Sequence, residues 1–331
     1  MTNIITFPGL GDLTFKINPT ALQITENIKV AWYGIFIVVG MILAVIYASR
    51  RAKQEGVDSD DIIDLAIFAV IFGIIGARLY YVLTSLDEFS SFYEAIAIWE
   101  GGLAIYGGVI GGIAAIIGTS IYKKINPLKF LDIAAPAAMI GQMLGRFGNF
   151  TNAEAYGTLE SFEFLGRKIA TPGFENFFLR MQLGKMSESG YSYTIGVFHP
   201  TFIYEVIWNL LGFVLINLLY RKKKYHGKVL LMYLTWYGFG RMFIEGLRTD
   251  SLYIGSIRIS QLLALLCFVV GGILLIIFGI RDRHAEPVLA IEERARAEAF
   301  AKFEAENDAD ADADGDGEDK SEGENKDGEN N

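Results

Sequence analysis

The sequence predicts an all-α integral membrane protein: seven transmembrane helices with a small extracytoplasmic cap between the fourth and fifth, N-terminus outside and C-terminus in the cytoplasm. Three observations carry that expectation. Hydrophobic residues make up 52% of the chain and the mean hydropathy is +0.34, well above what soluble domains show. Seven segments approach the roughly 20 apolar residues needed to cross a hydrocarbon core about 30 Å thick. Lysine and arginine collect in alternate loops, as they do on the cytoplasmic side of a membrane.

Residues 1–27 lack the basic cluster and apolar run of a cleaved signal peptide. They read as an amphipathic, Pro- and Gly-broken extracytoplasmic segment lying at the membrane surface. The membrane domain then covers residues 28–280. Its spans are expected at about Ile28–Ala48, Ile62–Leu83, Ala97–Tyr122, Phe130–Arg146, Thr201–Tyr220, Val229–Gly246 and Ile259–Ile280, the fourth and sixth weakest because they end in charged residues. Residues 149–198 are too long and polar for a turn and are expected to fold as the cap. Cys267 is the single cysteine and lies in an apolar run, which excludes an intrachain disulfide and a Cys-based metal site.

The orientation rests on Arg50, Arg51 and Lys53, then Lys123, Lys124 and Lys129, then Arg221, Lys222, Lys223, Lys224 and Lys228, with Arg281 and Arg283 after the last span. The alternate loops are neutral or acidic. Residues 281–331 are expected to form a short charged helix and a disordered acidic tail. From Glu304 onward the chain holds 13 Asp and Glu against 2 Lys, so the net charge of −9 belongs to the tail. A run from Asp310 has Asp312, Asp314 and Gly315 in the register of a Ca²⁺ loop, but its twelfth position is Ser321, and it reads as solvated tail.

No P-loop, dinucleotide fingerprint, zinc spacing, Ser/His/Asp order or basic aromatic surface is present, so chemistry falls to arginine, glutamate, asparagine and tyrosine. An ionisable group inside a bilayer costs at least about 3 kcal/mol without a partner or water. The sixth span nevertheless places Arg241, Glu245 and Arg248 at i, i+4 and i+7, on one helical face. An Arg241–Glu245 pair satisfies two of them, and Arg248 calls for another anion. Arg78 and Arg146 lie near span ends, and a guanidinium fork suits phosphate. The fifth span opens "HPTFIYE": His199 marks a helix entrance, and Glu205, one turn inside, should face a polar interior. In "GGLAIYGGVIGG" the Gly107/Gly111 and Gly108/Gly112 repeats suit close helix packing or space for a lipid, with Tyr106 beside them. Trp32 and Tyr33 fit an interfacial aromatic belt.

The run "GRFGNFTNAEAYG", Gly145 to Gly157, resembles the diagnostic motif of the bacterial prolipoprotein diacylglyceryl transferases at every fixed position. "WYG", "GGLAIYGG", "HPTFIYE" and "YGFGRMFIEGLRTD" support the resemblance from Ile28 to Ile280, and the acidic tail lies outside it. The resemblance implies an enzyme of the bacterial inner membrane, without cofactor or metal. It would move the diacylglyceryl group of phosphatidylglycerol to the lipobox cysteine of a preprolipoprotein, forming a thioether and releasing glycerol 1-phosphate. It implies catalytic roles for Arg146, Arg241, Glu245, Glu154 and Tyr106, the last standing where many members carry histidine. Asn149, Gly157, Tyr33 and Tyr237, with Arg146, are its expected lipid-binding positions, to which the charge and helix-entrance readings add Arg248 and His199. A transporter and a non-catalytic anionic-lipid-binding protein are the competing readings. No repeat between the halves favours the first.

Overall fold

The computed structural model describes residues 1–25, 28–187 and 189–315. The chain begins with strands β1 (Thr2–Phe7), β2 (Leu13–Ile17), β3 (Thr20–Gln23) and β4 (Lys29–Ala31). Helices α1 (Trp32–Glu55), α2 (Ser59–Thr84), the short α3 (Phe92–Ile96), α4 (Ile105–Tyr122) and α5 (Pro127–Asn152) follow. The cap contributes β5 (Ser161–Phe164), β6 (Arg167–Ala170), β7 (Met181–Met186) and β8 (Ser192–Phe198). The chain continues with α6 (Thr201–Tyr220), α7 (Lys228–Leu247), β9 (Tyr253–Ile254), β10 (Ile257–Arg258), α8 (Ile259–Arg281) and α9 (Val288–Gly315).

Helices α1, α2, α4, α6 and α8 are long and apolar enough to cross a membrane by length and composition. The other two expected spans are helical as well, but α5 carries Lys129, Asp132 and Arg146, and α7 carries Lys228, Arg241 and Glu245. Their polar residues point to neighbouring helices. The chief helix pairings are α2 with α4, α7 with α8, and α1 with α5, while α5, α6 and α7 also touch one another.

Span ends differ from expectation for local reasons. The third expected span, α4, starts at Ile105, not Ala97, because Gly101 and Gly102 take φ of 95° and 74°, which breaks a helix. Arg78 holds the loop before it, donating to the carbonyls of Glu94, Ala95, Gly101 and Gly102 at 2.5–2.9 Å. This arginine serves the backbone of the loop. The fourth expected span, α5, is longer than expected at both ends. Asn126 caps it by accepting from the Leu128 N–H at 2.9 Å, and Pro127 suits its first turn. It continues through Asn152 and stops where Ala153 turns left-handed at φ 52°.

The fold is mostly helical rather than wholly α. Strands β2, β1, β7 and β8 form an antiparallel sheet in that order, with Ile5 opposite Leu183. The N-terminal segment therefore contributes strands β1 and β2 to the sheet that it shares with the cap. Asn3, Ile5 and Phe7 alternate inward. Ile5 and Phe7 pack with Met181, Leu183 and Phe202, and Asn3 donates to the Thr151 carbonyl at 2.9 Å. The sheet thus sits over the C-terminal end of α5 and the start of α6.

At the opposite end, Lys223 is fully buried between Glu55 (2.5 Å) and Asp132 (3.0 Å). The Tyr220 hydroxyl donates to Glu55 at 2.8 Å, and Asp132 accepts the N–H groups of Gly227 and Leu230 at 2.9 Å. Helix α9 docks here. Its Leu289 is buried, Glu292 pairs with Lys129 at 2.8 Å, and Arg296 donates to the Lys53 and Gln54 carbonyls that end α1. Helix persists into the Ala-rich part of the stretch expected to be disordered, as alanine's high helix propensity favours. The remainder of the tail, with Ser321, lies outside the described residues.

The glycine repeat of α4 is a packing surface. A Cβ on Gly107 would stand 2.2 Å from the Gly76 carbonyl oxygen and 2.4 Å from the Tyr80 Cβ, and one on Gly111 would stand 2.1 Å from the Phe72 carbonyl oxygen. Gly112 has open space. Gly107→Ala should force α2 and α4 apart at about 1–3 kcal/mol and lower the melting temperature in detergent. Gly112→Ala is the control and should not lower it, since alanine there meets open space and favours the helix.

Candidate active site

The motif "GRFGNFTNAEAYG" is not a loop leaving a helix but the last two turns of α5 with a strained exit. Arg146 and Asn149, three apart, share one face, and the Arg146 Nη1 donates to Asn149 Oδ1 at 2.7 Å. Asn149 Nδ2 donates to Glu154 Oε1 at 2.9 Å, and Asn152 reaches the same oxygen at 3.4 Å. Ala153 and Ala155 both have positive φ, 52° and 56°, an uncommon conformation for non-glycine residues that aims Glu154 back at the helix end. The side chain that links this motif to the other helices is Glu205. It accepts from Arg146 Nη2 at 3.0 Å through Oε1 and from Arg241 Nη1 at 2.7 Å through Oε2.

Arg241 also pairs through Nη2 with Glu245, one turn along α7, at 2.5 Å. Three helices therefore meet in one chain, Glu154, Asn149, Arg146, Glu205, Arg241, Glu245. Its exposure is graded. The side chains of Arg146 and Arg241 keep 20% and 13% of their surface open, while Glu205 and Glu245 keep 2% each. The two guanidiniums lie toward the accessible side, with the exposed Glu154 at its rim, and Glu205 and Glu245 form the floor.

Other expected site residues surround this cluster at different distances from it. Tyr33 lies against the motif: a Cβ on Gly148 would stand 2.3 Å from its ring. Tyr237 precedes Arg241 by one turn on the same face of α7 and stacks on Tyr233, with ring centroids 5.6 Å apart. Arg248 finds its anion within the chain, donating through Nε and Nη2 to Asp250 at 2.9 and 2.8 Å. Gly157 is a backbone crossing, exchanging hydrogen bonds with His199 at 2.9 and 2.7 Å and bridging to Arg248. A Cβ there would meet the Leu247 carbonyl oxygen at 2.8 Å, so glycine is required for close approach. Tyr106 hydrogen-bonds Ser260 of α8 at 2.7 Å and makes no hydrogen bond to the arginine cluster.

His199 is buried beside Phe174 and Phe177, its Nδ1 2.9 Å from the Tyr204 hydroxyl. Burial pushes its pKa down from 6.5 to about 4. Between those values an opened chain takes up a proton that the folded one refuses. Stability should thus be undiminished above pH 6.5 and fall as the pH drops toward 4, by up to about 3 kcal/mol. Melting in detergent at pH 7 and pH 5 should show this drop in the wild type and a smaller one in His199→Asn.

Two site residues had weak sequence signals. Glu205 stood out as a carboxylate in an apolar helix, yet its two partners were not legible. Arg258 was missed: its Nη1 donates to the Glu245 and Arg248 carbonyls at 2.6 Å, and its Nη2 pairs with Glu163 at 3.0 Å. A second arginine, after Arg248, in a loop expected to be neutral or acidic was the available clue.

A family model for prolipoprotein diacylglyceryl transferase matches residues 19–277, most of the chain. The chain belongs to the prolipoprotein diacylglyceryl transferase family. The cluster described above falls within that match, and α9 lies beyond it. The chain is 42% identical over 272 residues to a phosphatidylglycerol–prolipoprotein diacylglyceryl transferase of Streptococcus agalactiae serotype Ia, covering 81% of this chain and 98% of that one. Proteins of the same name in Streptococcus mutans serotype c (42% over 274 residues, 82% and 98% covered) and Streptococcus pyogenes serotype M1 (41% over 280 residues, 84% and 100%) are similarly related. As a member of this transferase family the chain is a membrane protein, consistent with its apolar helices.

Proposed function

We propose that this transferase moves the diacylglyceryl group of phosphatidylglycerol to the cysteine thiol of a prolipoprotein lipobox, the first step of lipoprotein maturation. The products are a thioether and glycerol 1-phosphate. The observation that carries the reading is the pair Arg146 and Arg241, brought together from two helices and each partly open above the buried Glu205. That arrangement suits the phosphate of a lipid whose acyl chains lie among apolar helices.

In this reading the thiolate sulfur attacks the diacylglyceryl carbon, the carbon–oxygen bond to phosphate breaks, and glycerol 1-phosphate leaves with the electron pair. Arg146 and Arg241 stabilise charge developing on the leaving phosphate. Glu245 orients Arg241, and Asn149 with Glu154 orients Arg146. The Tyr106–Ser260 hydroxyl pair is the candidate carrier of the thiol proton. Tyr33, Tyr237, Gly157, Arg248 and His199 shape the surroundings of the lipid.

The membrane domain crosses the bilayer seven times in the bacterial inner membrane, with α5 and α7 as the polar fourth and sixth spans. Basic loops at the Lys223 end support a cytoplasmic position for that end and α9, with the motif and sheet outside, where exported prolipoproteins arrive. Residues 281–331 are a cytoplasmic appendage. Purified protein mixed with phosphatidylglycerol and a lipobox peptide should yield a diacylglyceryl adduct by mass spectrometry. Its absence from folded protein would favour mere lipid binding or transport.

A further inference from the structure

We infer that Glu205 competes with the lipid phosphate for Arg146 and Arg241, and so sets how tightly the site holds its substrate and how readily it releases the phosphorylated product. The inference rests on the proposed phosphate role of those arginines and adds to it a second, internal occupant of the same guanidiniums.

The geometry is that of a phosphate already in place. One oxygen of Glu205 takes Arg146 Nη2 at 3.0 Å, and the other takes Arg241 Nη1 at 2.7 Å. A carboxylate and a phosphate present pairs of oxygens to guanidinium forks in the same way. Every arginine around it already faces a carboxylate. Arg146 and Arg241 stand against Glu205 and Glu245, Arg248 against Asp250, and Arg258 against Glu163. With Glu154 held by Asn149 beside them, the resting cluster carries no excess positive charge. An incoming phosphate gains from the two arginines to the extent that it draws them from Glu205, because Glu245 holds Arg241 alone.

The lack of excess positive charge has a use in this reaction. The substrate phosphate is a diester with one negative charge, whereas the released glycerol 1-phosphate is a monoester carrying close to two. An unopposed pair of arginines in a partly buried site would hold the product harder than the substrate. Glu205, fixed on the floor behind both guanidiniums, returns to them as the product leaves. It acts through the arginines and is a positioning residue.

The test is steady-state transfer to a lipobox peptide, with glycerol 1-phosphate added as inhibitor and folding checked by gel filtration and melting. Glu205→Gln removes the competing charge. It should lower KM for phosphatidylglycerol, lower kcat, and strengthen inhibition by glycerol 1-phosphate roughly tenfold. A purely structural role would weaken both ligands together. Glu205→Asp retains charge but is too short to span both arginines, and it should shift the same quantities in the same direction by less. It is the variant to read if the glutamine protein does not fold. Unchanged or weakened product inhibition in whichever folded variant is read overturns the inference. Arg241→Lys in the same assay must weaken product inhibition. If it does not, the arginines are not the phosphate site and the underlying reading fails instead.

Discussion

Arg241→Ala is expected to slow diacylglyceryl transfer by about 10²- to 10³-fold, the loss of roughly 3–4 kcal/mol that accompanies removal of one preorganised donor at a developing negative charge. The structure adds a second consequence. Arg241 is the partner of two carboxylates, Glu205 and Glu245, that are almost wholly buried. Removing it leaves Glu245 without a cation and Glu205 with Arg146 alone, which destabilises the junction of α6 and α7. Arg241→Lys separates the two effects. A single ammonium keeps the charge but cannot present separate donors to Glu205 and Glu245. The lysine variant should therefore melt closer to the wild type than the alanine variant while remaining severely slowed. Mass spectrometry of the lipobox peptide after timed incubation reads the rate, and undiminished thioether formation in Arg241→Ala would sink the assignment.

The largest effect on stability is expected at the other end of the bundle. Lys223→Met should cost about 3–5 kcal/mol, because it strands Glu55 and Asp132 in a site with no exposure to water. The remaining partners do not compensate. Asp132 keeps two backbone N–H donors and Glu55 keeps the Tyr220 hydroxyl, but neither retains the ammonium within hydrogen-bonding distance. Combining Lys223→Met with Glu55→Gln removes one of the two stranded charges and should recover part of the loss. Glu205 and Tyr220 lie on the same helix fifteen positions apart, about 22 Å along its axis. KM for phosphatidylglycerol in the folded fraction should accordingly stay unchanged. A melting temperature equal to that of the wild type would refute the buried-triad account.

Lys223 also illustrates what a one-dimensional reading sees. It counted there as one of a row of cytoplasmic basic residues, alongside Lys222 and Lys224. Its immersion between α1 and α5 follows from the packing of helices whose residues Glu55 and Asp132 lie 168 and 91 positions away. The same holds for the cap. The inward alternation of Asn3, Ile5 and Phe7 is present in the sequence, but its partner strand begins at Met181. Hydropathy over a 20-residue window is blind to a six-residue strand with a distant partner. The left-handed turns at Gly101 and Gly102 shortened the third helix for a reason that was local and legible.

By itself the sequence determined the approximate place of the long helices, the family motif, and the identity of the charged groups that a membrane does not tolerate alone. These follow from local quantities: hydropathy along a helix length, helical spacing, and the desolvation cost of an ion. The tertiary structure alone decided which ions satisfy one another. Arg146 and Arg241 converge on Glu205, and Arg248 turns to Asp250, because the rotation and register of α5, α6 and α7 bring those side chains together. Helical spacing tells which residues share a face of one helix. It does not tell which face of the next helix they meet, and the chemistry of this site lies between helices.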